Sequence, residues 1–348
     1  MISMIKDAAG RIRRLVPLGL TALGLAAGTV EARADFAIAN PYAYGTGPDQ
    51  IAIGTLLAFG DSYTEANRRD FPNWAEQLDA APTSDGRNGG TEVGTLADFA
   101  KSGATAGTYD SNNRNSFAKQ VKRWQLTSPT FGATDLTVVY LGYNDIIGGT
   151  DATGADLTGN SKADYRSILK RLINAGANKG GRRLFLVIPH NVAGAPAYVN
   201  DATLSPTMRQ RSQIWANVVA TTAQSFSNSY GGNIVAVDLY TSIEYVLQHA
   251  GNFCLTDVTD VMPTGGDPQH YLYDTAAGGG SIHFGRRGQN LIEQVIQYYL
   301  TLGWDWSNQI KRPSSAQAQL TSALNAGQVF QNPCATVPAT RQLVASAR

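Results

Sequence analysis

Ser62 closes the tripeptide Gly60-Asp61-Ser62 at the end of an apolar run, Leu56-Leu57-Ala58-Phe59. A serine hydroxyl is a poor nucleophile in water. It becomes a useful one when a rigid strand presents it at the rim of a sheet, beside a base and backbone N–H donors. The run before Ser62 has the density of a buried strand, and Gly60 permits a sharp turn with no side chain in the way. The tripeptide alone proves little, because an ordinary β-turn accounts for it as well or better, and its meaning depends on what lies downstream.

Three further blocks follow. Phe99-Ala100-Lys101-Ser102-Gly103-Ala104-Thr105-Ala106-Gly107 is a stretch of small residues in which the Gly103 N–H can approach a ligand closely. Gly142-Tyr143-Asn144-Asp145 ends a second apolar strand, Leu136-Thr137-Val138-Val139-Tyr140-Leu141. Ile282-His283-Phe284 precedes Gly285, Gly288 and a segment with helical spacing. Taken in this order, from about Leu56 to Leu302, the blocks resemble those of the SGNH (GDSL-type) hydrolase superfamily, named for its Ser, Gly, Asn and His residues.

The resemblance implies a role for each block. Ser62 attacks an acyl carbon, and His283 takes the serine proton and returns it to the leaving alcohol. The tetrahedral intermediate carries a negative oxygen, for which the N–H groups of Ser62 and Gly103 and the Asn144 amide supply three donors. Losing one such donor typically costs roughly 100- to 1000-fold in rate. Each residue also has a plain structural alternative: close packing for Gly103, an Asx-turn for Asn144, a satisfied core histidine for His283.

One position departs from the family pattern. The acid that orients the histidine usually sits three residues before it, and here that place is Gly280, which offers no side chain. Tyr271-Leu272-Tyr273-Asp274 looks like the aromatic stretch that leads into the missing acid, so Thr275 to Gly280 read as a six-residue insertion. Three arrangements remain open. The insertion loops out and Asp274 still reaches His283; another group, such as a backbone carbonyl or Asp267, holds the ring; or a small anion or water occupies the place beside Gly280.

At the N-terminus, Lys6, Arg11, Arg13 and Arg14 precede the apolar segment Leu15 to Ala27, and Ala32-Arg33-Ala34 offers a small-x-small cleavage site. Residues 1–34 therefore read as a secretory signal peptide, and a secreted or periplasmic location follows. The apolar stretch carries Pro17 and several glycines and is too short to serve comfortably as a membrane anchor. These residues hold five basic and two acidic side chains, so cleavage before Asp35 moves the formal net charge from +1 to −2. Such near-neutrality gives no reason to expect nucleic acid or anionic membranes as partners. Two cysteines, Cys254 and Cys334, allow one disulfide in an exported chain. The four histidines (His190, His249, His270, His283) show no metal-ligand spacing, and neither a metal nor another cofactor is implied.

Short β-branched runs at Leu56–Phe59, Leu136–Leu141, Leu184–Ile188 and Ile234–Val237 read as buried parallel strands. Between them, a helix capped by Ser161 with Tyr165, Ile168, Leu169, Leu172 and Ile173 on one face, then Met208–Phe226 and Ile292–Leu302, have helical spacing. The alternation implies crossover units. The expected fold is a three-layer α/β/α sandwich on a mostly parallel, flavodoxin-like sheet, the SGNH hydrolase fold. One domain spans 35–303, with a C-terminal extension at 304–348 packing on it and a short helix around Ala316–Ala326. The segments Asp79–Thr95 and Asn252–Ser281 read as pocket-shaping loops, and Trp74, Tyr109, Trp124 and Tyr143 as candidates for lining an acyl or sugar site. No serine lies in a G-x-S-x-G elbow, which counts against the α/β-hydrolase fold.

The expected activity is that of an exported serine esterase acting on a small-molecule, glycan or lipid ester through an acyl-enzyme on Ser62. Acyl transfer, phospholipase activity or a catalytically dead carbohydrate- or lipid-binding relative are the alternatives.

Overall fold

The computed structural model describes residues 51–80, 91–107, 115–127, 130–149, 151–231, 233–274, 281–301, 316–330 and 333–334. The N-terminal segment 1–34, Tyr109, the inserted residues 275–280 and residues 302–315 lie outside them. Strands β1 (Ile51–Gly60), β2 (Thr91–Asp98), β3 (Leu136–Tyr140), β4 (Arg183–Ile188) and β5 (Ile234–Asp238) form one parallel sheet in the order β2-β1-β3-β4-β5. Every residue of β3, β4 and β5 is buried. Strands buried on both faces need cover on both, and crossover helices supply it.

Two groups of helices do so. One contains α1 (Trp74–Ala80), α6 (Leu239–Gln248) and α7 (Arg286–Thr301), with α1 and α6 packed against α7. The other contains α2 (Phe117–Thr127), α4 (Lys162–Asn174) and α5 (Leu204–Tyr230), joined through α4. The result is the α/β sandwich that the strand–helix alternation implies, with the flavodoxin-like strand order that the family resemblance implies.

Three details differ from expectation. The end of the expected loop Asp79–Thr95 belongs to the edge strand β2, Thr91–Asp98; pairing to β1 overrides weak local propensity. Within the supposed loop Asn252–Ser281, Asp257–Val261 (β6) pairs with Tyr271–Tyr273 (β7) in a separate two-stranded sheet. Ser161 does not cap α4. It has helical φ/ψ and its side chain makes no cap bond, because the segment Leu157–Ser161, kinked at Gly159, runs directly into the helix. The cap with full chemistry is at α1 instead. There Asn73 accepts from the N–H of Ala75 and Glu76, and Glu76 accepts from the Asn73 N–H at 3.0 Å.

Cys254 and Cys334 are joined in a disulfide across 80 residues. It fastens the segment after α8 (Ala316–Asn325) to the short helical turn Ala250–Phe253. Phe330 meets Phe253 edge-on at 4.9 Å, and Arg287 donates to the Pro333 carbonyl at 3.0 Å. No helix among the described residues is long and apolar enough to cross a membrane.

Candidate active site

In sheets of this order the strand succession reverses between β1 and β3, and ligand crevices open there, beyond the carboxyl ends of the strands. Gly60 of β1 pairs with Tyr140 of β3, so the two strands end level. Ser62 follows the first by two residues and Gly142-Tyr143-Asn144 follows the second. Register alone therefore brings the serine and asparagine blocks to one rim.

The turn bearing Ser62 is closed by Asp61, whose carbonyl accepts from the N–H groups of Thr64 and Glu65. Gly60 admits no side chain, since a Cβ there would collide with Thr64. The Gln120 amide of α2 pairs with both backbone polar groups of Gly60, accepting from its N–H at 3.0 Å and donating to its carbonyl at 2.7 Å. Arg69 donates to the Ser62 carbonyl. The Ser62 N–H itself has no acceptor among the described residues.

Ser62 Oγ lies 2.6 Å from Nε2 of His283. Both are nearly enclosed, each 5 % exposed. A hydroxyl that donates to Nε2 requires the ring proton on Nδ1, the tautomer that a general base of this kind uses.

The Gly103 and Asn144 blocks meet beside this pair. Gly103 has φ +74° and stands exposed, with open space where a Cβ would point. The Asn144 side-chain amide donates one N–H to the carbonyl of the next residue, Ala104, at 2.8 Å, and its other N–H has no acceptor among the described residues. Asp145 fastens the same junction by accepting from the Ala106 N–H at 2.7 Å. Glu65, three residues after Ser62, holds the loop from the other side. Its carboxylate accepts from the Ser102 N–H and hydroxyl at 2.8 and 2.5 Å and pairs with Lys101 at 2.9 Å.

The asparagine block has its own supports. Gly142 sits at φ +116°, and a Cβ there would fall on the Trp215 indole, whose N–H donates to the Leu141 carbonyl at 3.0 Å. Helix α3 (Tyr143–Ile147) ends against buried Arg211, which donates to the carbonyls of Asp145 and Ile146 at 2.9 and 2.7 Å and makes two bonds to Asp156. One guanidinium thus satisfies carbonyls that a helix end leaves open.

Asp274 is buried and immediately follows β7. An antiparallel bridge pairs Tyr273 with Phe284, and the Gly285 N–H donates to the Leu272 carbonyl at 2.8 Å. Continuing that ladder by one residue sets position 274 opposite position 283. Asp267, the other acid considered, is 60 % exposed and lies 3.5 Å from His270, so it is occupied on the surface. Gly280 lies outside the described residues.

Buried ionisable groups cluster under the rim. Burial raises Asp61 to about 7, with Asp145 adding repulsion, although the Tyr63 N–H bonded to Oδ1 opposes it. Asp145 rises to about 6 for the same first reason, opposed by bonds from Ala106, Ser161 and Gly107. Sequence reasoning passed over His190 as one of four scattered histidines. The structure buries it completely at the end of β4, where desolvation and the neighbouring His283 hold it down at about 3. Tyr63, also unremarked, packs its ring 5.3 Å from that of His283. Its place directly after Ser62 was the available signal. Of the aromatics expected to line a substrate site, Trp74, Trp124 and Tyr143 are each at most 1 % exposed and belong to the core.

These features coincide with a family assignment. The model of GDSL-like lipase/acylhydrolases matches residues 56–307, and the chain belongs to that family of acylhydrolases. No curated protein matches it in sequence. Among solved structures it is similar to Axe2, an acetylxylan esterase from Geobacillus stearothermophilus, at 16% identity and a TM-score of 0.44, covering 74% of this chain and 98% of that one. A member of the lipolytic protein G-D-S-L family from Veillonella parvula is 15% identical, with a TM-score of 0.39 over 70% of this chain and 96% of that one.

Proposed function

We propose that this protein is an exported serine esterase that hydrolyses carboxylic esters through an acyl-enzyme on Ser62. The observation that carries this reading is the 2.6 Å contact between Ser62 Oγ and His283 Nε2 at the sheet's switch point. Ser62 Oγ forms a bond to the acyl carbon while its proton passes to Nε2. The carbonyl oxygen becomes an oxyanion, which accepts from the N–H groups of Ser62 and Gly103 and from the Asn144 amide. The intermediate collapses by breaking the bond to the alcohol oxygen, which receives the proton held on Nε2. Water then attacks the acyl-enzyme, again giving its proton to His283, and the carboxylic acid leaves as Ser62 is restored.

In this reading Asp274 is the acid of the triad, a choice supported by the Tyr273–Phe284 bridge next to both residues. It accepts from Nδ1–H and steadies the imidazolium that forms. Export is supported by the basic and apolar N-terminal pattern and by the Cys254–Cys334 disulfide, a bond typical of oxidising compartments.

The test is hydrolysis of p-nitrophenyl acetate, butyrate and palmitate and of acetylated xylan by the purified protein and by Ser62→Ala. Turnover on at least one ester that vanishes in Ser62→Ala is expected. Inactivity of the wild type on all four, or activity that survives in Ser62→Ala, overturns the reading. The chain-length preference then separates lipid from small-ester or glycan substrates.

A further inference from the structure

Behind the serine–histidine pair runs a buried chain of polar groups that the steps above do not use. Nδ1 of His190 lies 3.0 Å from the Tyr140 hydroxyl, and Nε2 lies 3.3 Å from the Tyr63 hydroxyl. Tyr63 in turn donates to the carbonyl of Ile282, and the Tyr143 hydroxyl reaches the same oxygen at 3.4 Å. A phenol has a single proton to give. Because Tyr63 gives its proton to Ile282, it accepts from His190, so the His190 proton sits on Nε2. Nδ1 is then the acceptor for Tyr140. The chain has one direction: Tyr140 to His190 to Tyr63 to the Ile282 carbonyl. Burial keeps His190 neutral, so this order does not reverse through the ordinary histidine range.

The end point of the chain gives it meaning. Ile282 precedes His283, Tyr63 follows Ser62, and Tyr143 precedes Asn144. One carbonyl oxygen therefore receives hydroxyls from the immediate neighbours of two functional blocks and lies next to the third. The rings reinforce the same contacts, with the His190 ring tilted against Phe284 at 4.4 Å and Tyr63 against Tyr143 at 5.1 Å. We propose that His190 and Tyr63 are positioning residues, whose ordered hydrogen-bond chain to the Ile282 carbonyl sets the His283 backbone, and with it the Ser62–His283 separation that proton transfer requires. This rests on the reading of Ser62 as nucleophile. A misplacement of about 1 Å in a reacting pair can cost on the order of 100-fold, so fine control of this segment acts on turnover rather than on binding.

Tyr63→Phe removes one hydroxyl and keeps the ring, and His190→Phe removes both of its bonds. With p-nitrophenyl acetate, each variant is expected to lose about tenfold in kcat with KM within about twofold, and the double variant to be no worse than either alone, since both act through one carbonyl. Labelling of Ser62 by a fluorophosphonate separates the failures. A wild type that is neither labelled nor active sinks the nucleophile reading and this inference with it. A labelled, active wild type whose variants keep full kcat, or whose losses add independently, overturns the positioning role alone. ¹⁵N NMR of the wild type provides a check that needs no variant. His190 should show a neutral ring protonated at Nε2 from about pH 5 to 8; protonation at Nδ1, or an imidazolium in that range, refutes the chain.

Discussion

Tyr273 and Phe284 face each other across an antiparallel bridge, and the bridge carries Asp274 and His283 to opposite positions although they lie nine positions apart in sequence. Where the family pattern has an acid three residues before the histidine, this chain has Gly280, and Asp274 stands nine positions before His283. Loop-closure entropy grows only with the logarithm of length, so six extra residues add little cost.

Asp274→Asn is accordingly expected to lower kcat at least about tenfold, with a ceiling near the 10⁴-fold loss that a wrong histidine tautomer produces in a related triad. Steady-state kinetics on p-nitrophenyl acetate provide the check. Full activity in this variant would point instead to a group or anion near the inserted residues.

Gly285→Ala tests the same geometry from the other side. A Cβ at Gly285 would stand 2.5 Å from the Cβ of Asp274. Overpacking of this kind typically costs about 1–3 kcal/mol. Thermal unfolding should show that loss, and kcat should fall with it because Asp274 is the atom group displaced. A variant as stable and active as the wild type would mean that Asp274 has slack.

Glu65→Gln addresses the loop that leads into Gly103. The carboxylate binds both the N–H and hydroxyl of Ser102 and also Lys101, while an amide offers one acceptor oxygen. Gly103 follows directly. A loss of about three- to tenfold in kcat is expected, short of the roughly 100-fold cost of deleting a donor outright. An unchanged kcat would show that the loop holds its shape without this clamp.

Asp61 gives the stability of this protein a pH dependence. Its carboxyl ionises near 3.8 in the unfolded chain and near 7 in the fold, because burial and then Asp145 disfavour the charge. The folded state thus binds the proton more tightly, and the stability this contributes is full below about pH 4 and lost as pH rises toward 7. His190 works in the opposite sense: its depressed value makes stability fall as pH drops from about 6.5 toward 3. Asp61→Asn isolates the first effect. Chemical denaturation at pH 5 and pH 8 should show the variant losing about 2–3 kcal/mol less than the wild type over that interval. Parallel losses would mean that Asp61 is ionised in the fold throughout.

Reduction of Cys254–Cys334, or Cys254→Ser with Cys334→Ser, removes a cross-link that closes a long loop. The chain-entropy relation assigns such a link about 4–5 kcal/mol. A clear fall in Tm is expected, read by calorimetry with and without reductant.

Much of the site was legible before folding because its signals are local. A dense apolar run, a glycine and then a polar residue mark a strand end whether or not the neighbouring strand is known, and this holds for Ser62 and for Asn144. His283 ahead of a helical segment is similar. The strands β1, β3, β4 and β5 were visible for the same reason, whereas β2 was not, since its identity comes from pairing with β1 and not from its own composition.

By itself, the sequence determined the order of the blocks, the alternation of strand and helix, and therefore which residues must share the rim of a parallel sheet. Tertiary structure alone decided which position stands opposite His283, which histidine is fully buried, and which aromatics are core. Those outcomes depend on register across a bridge and on burial by distant elements, and neither is carried by the spacing of residues along one strand or helix.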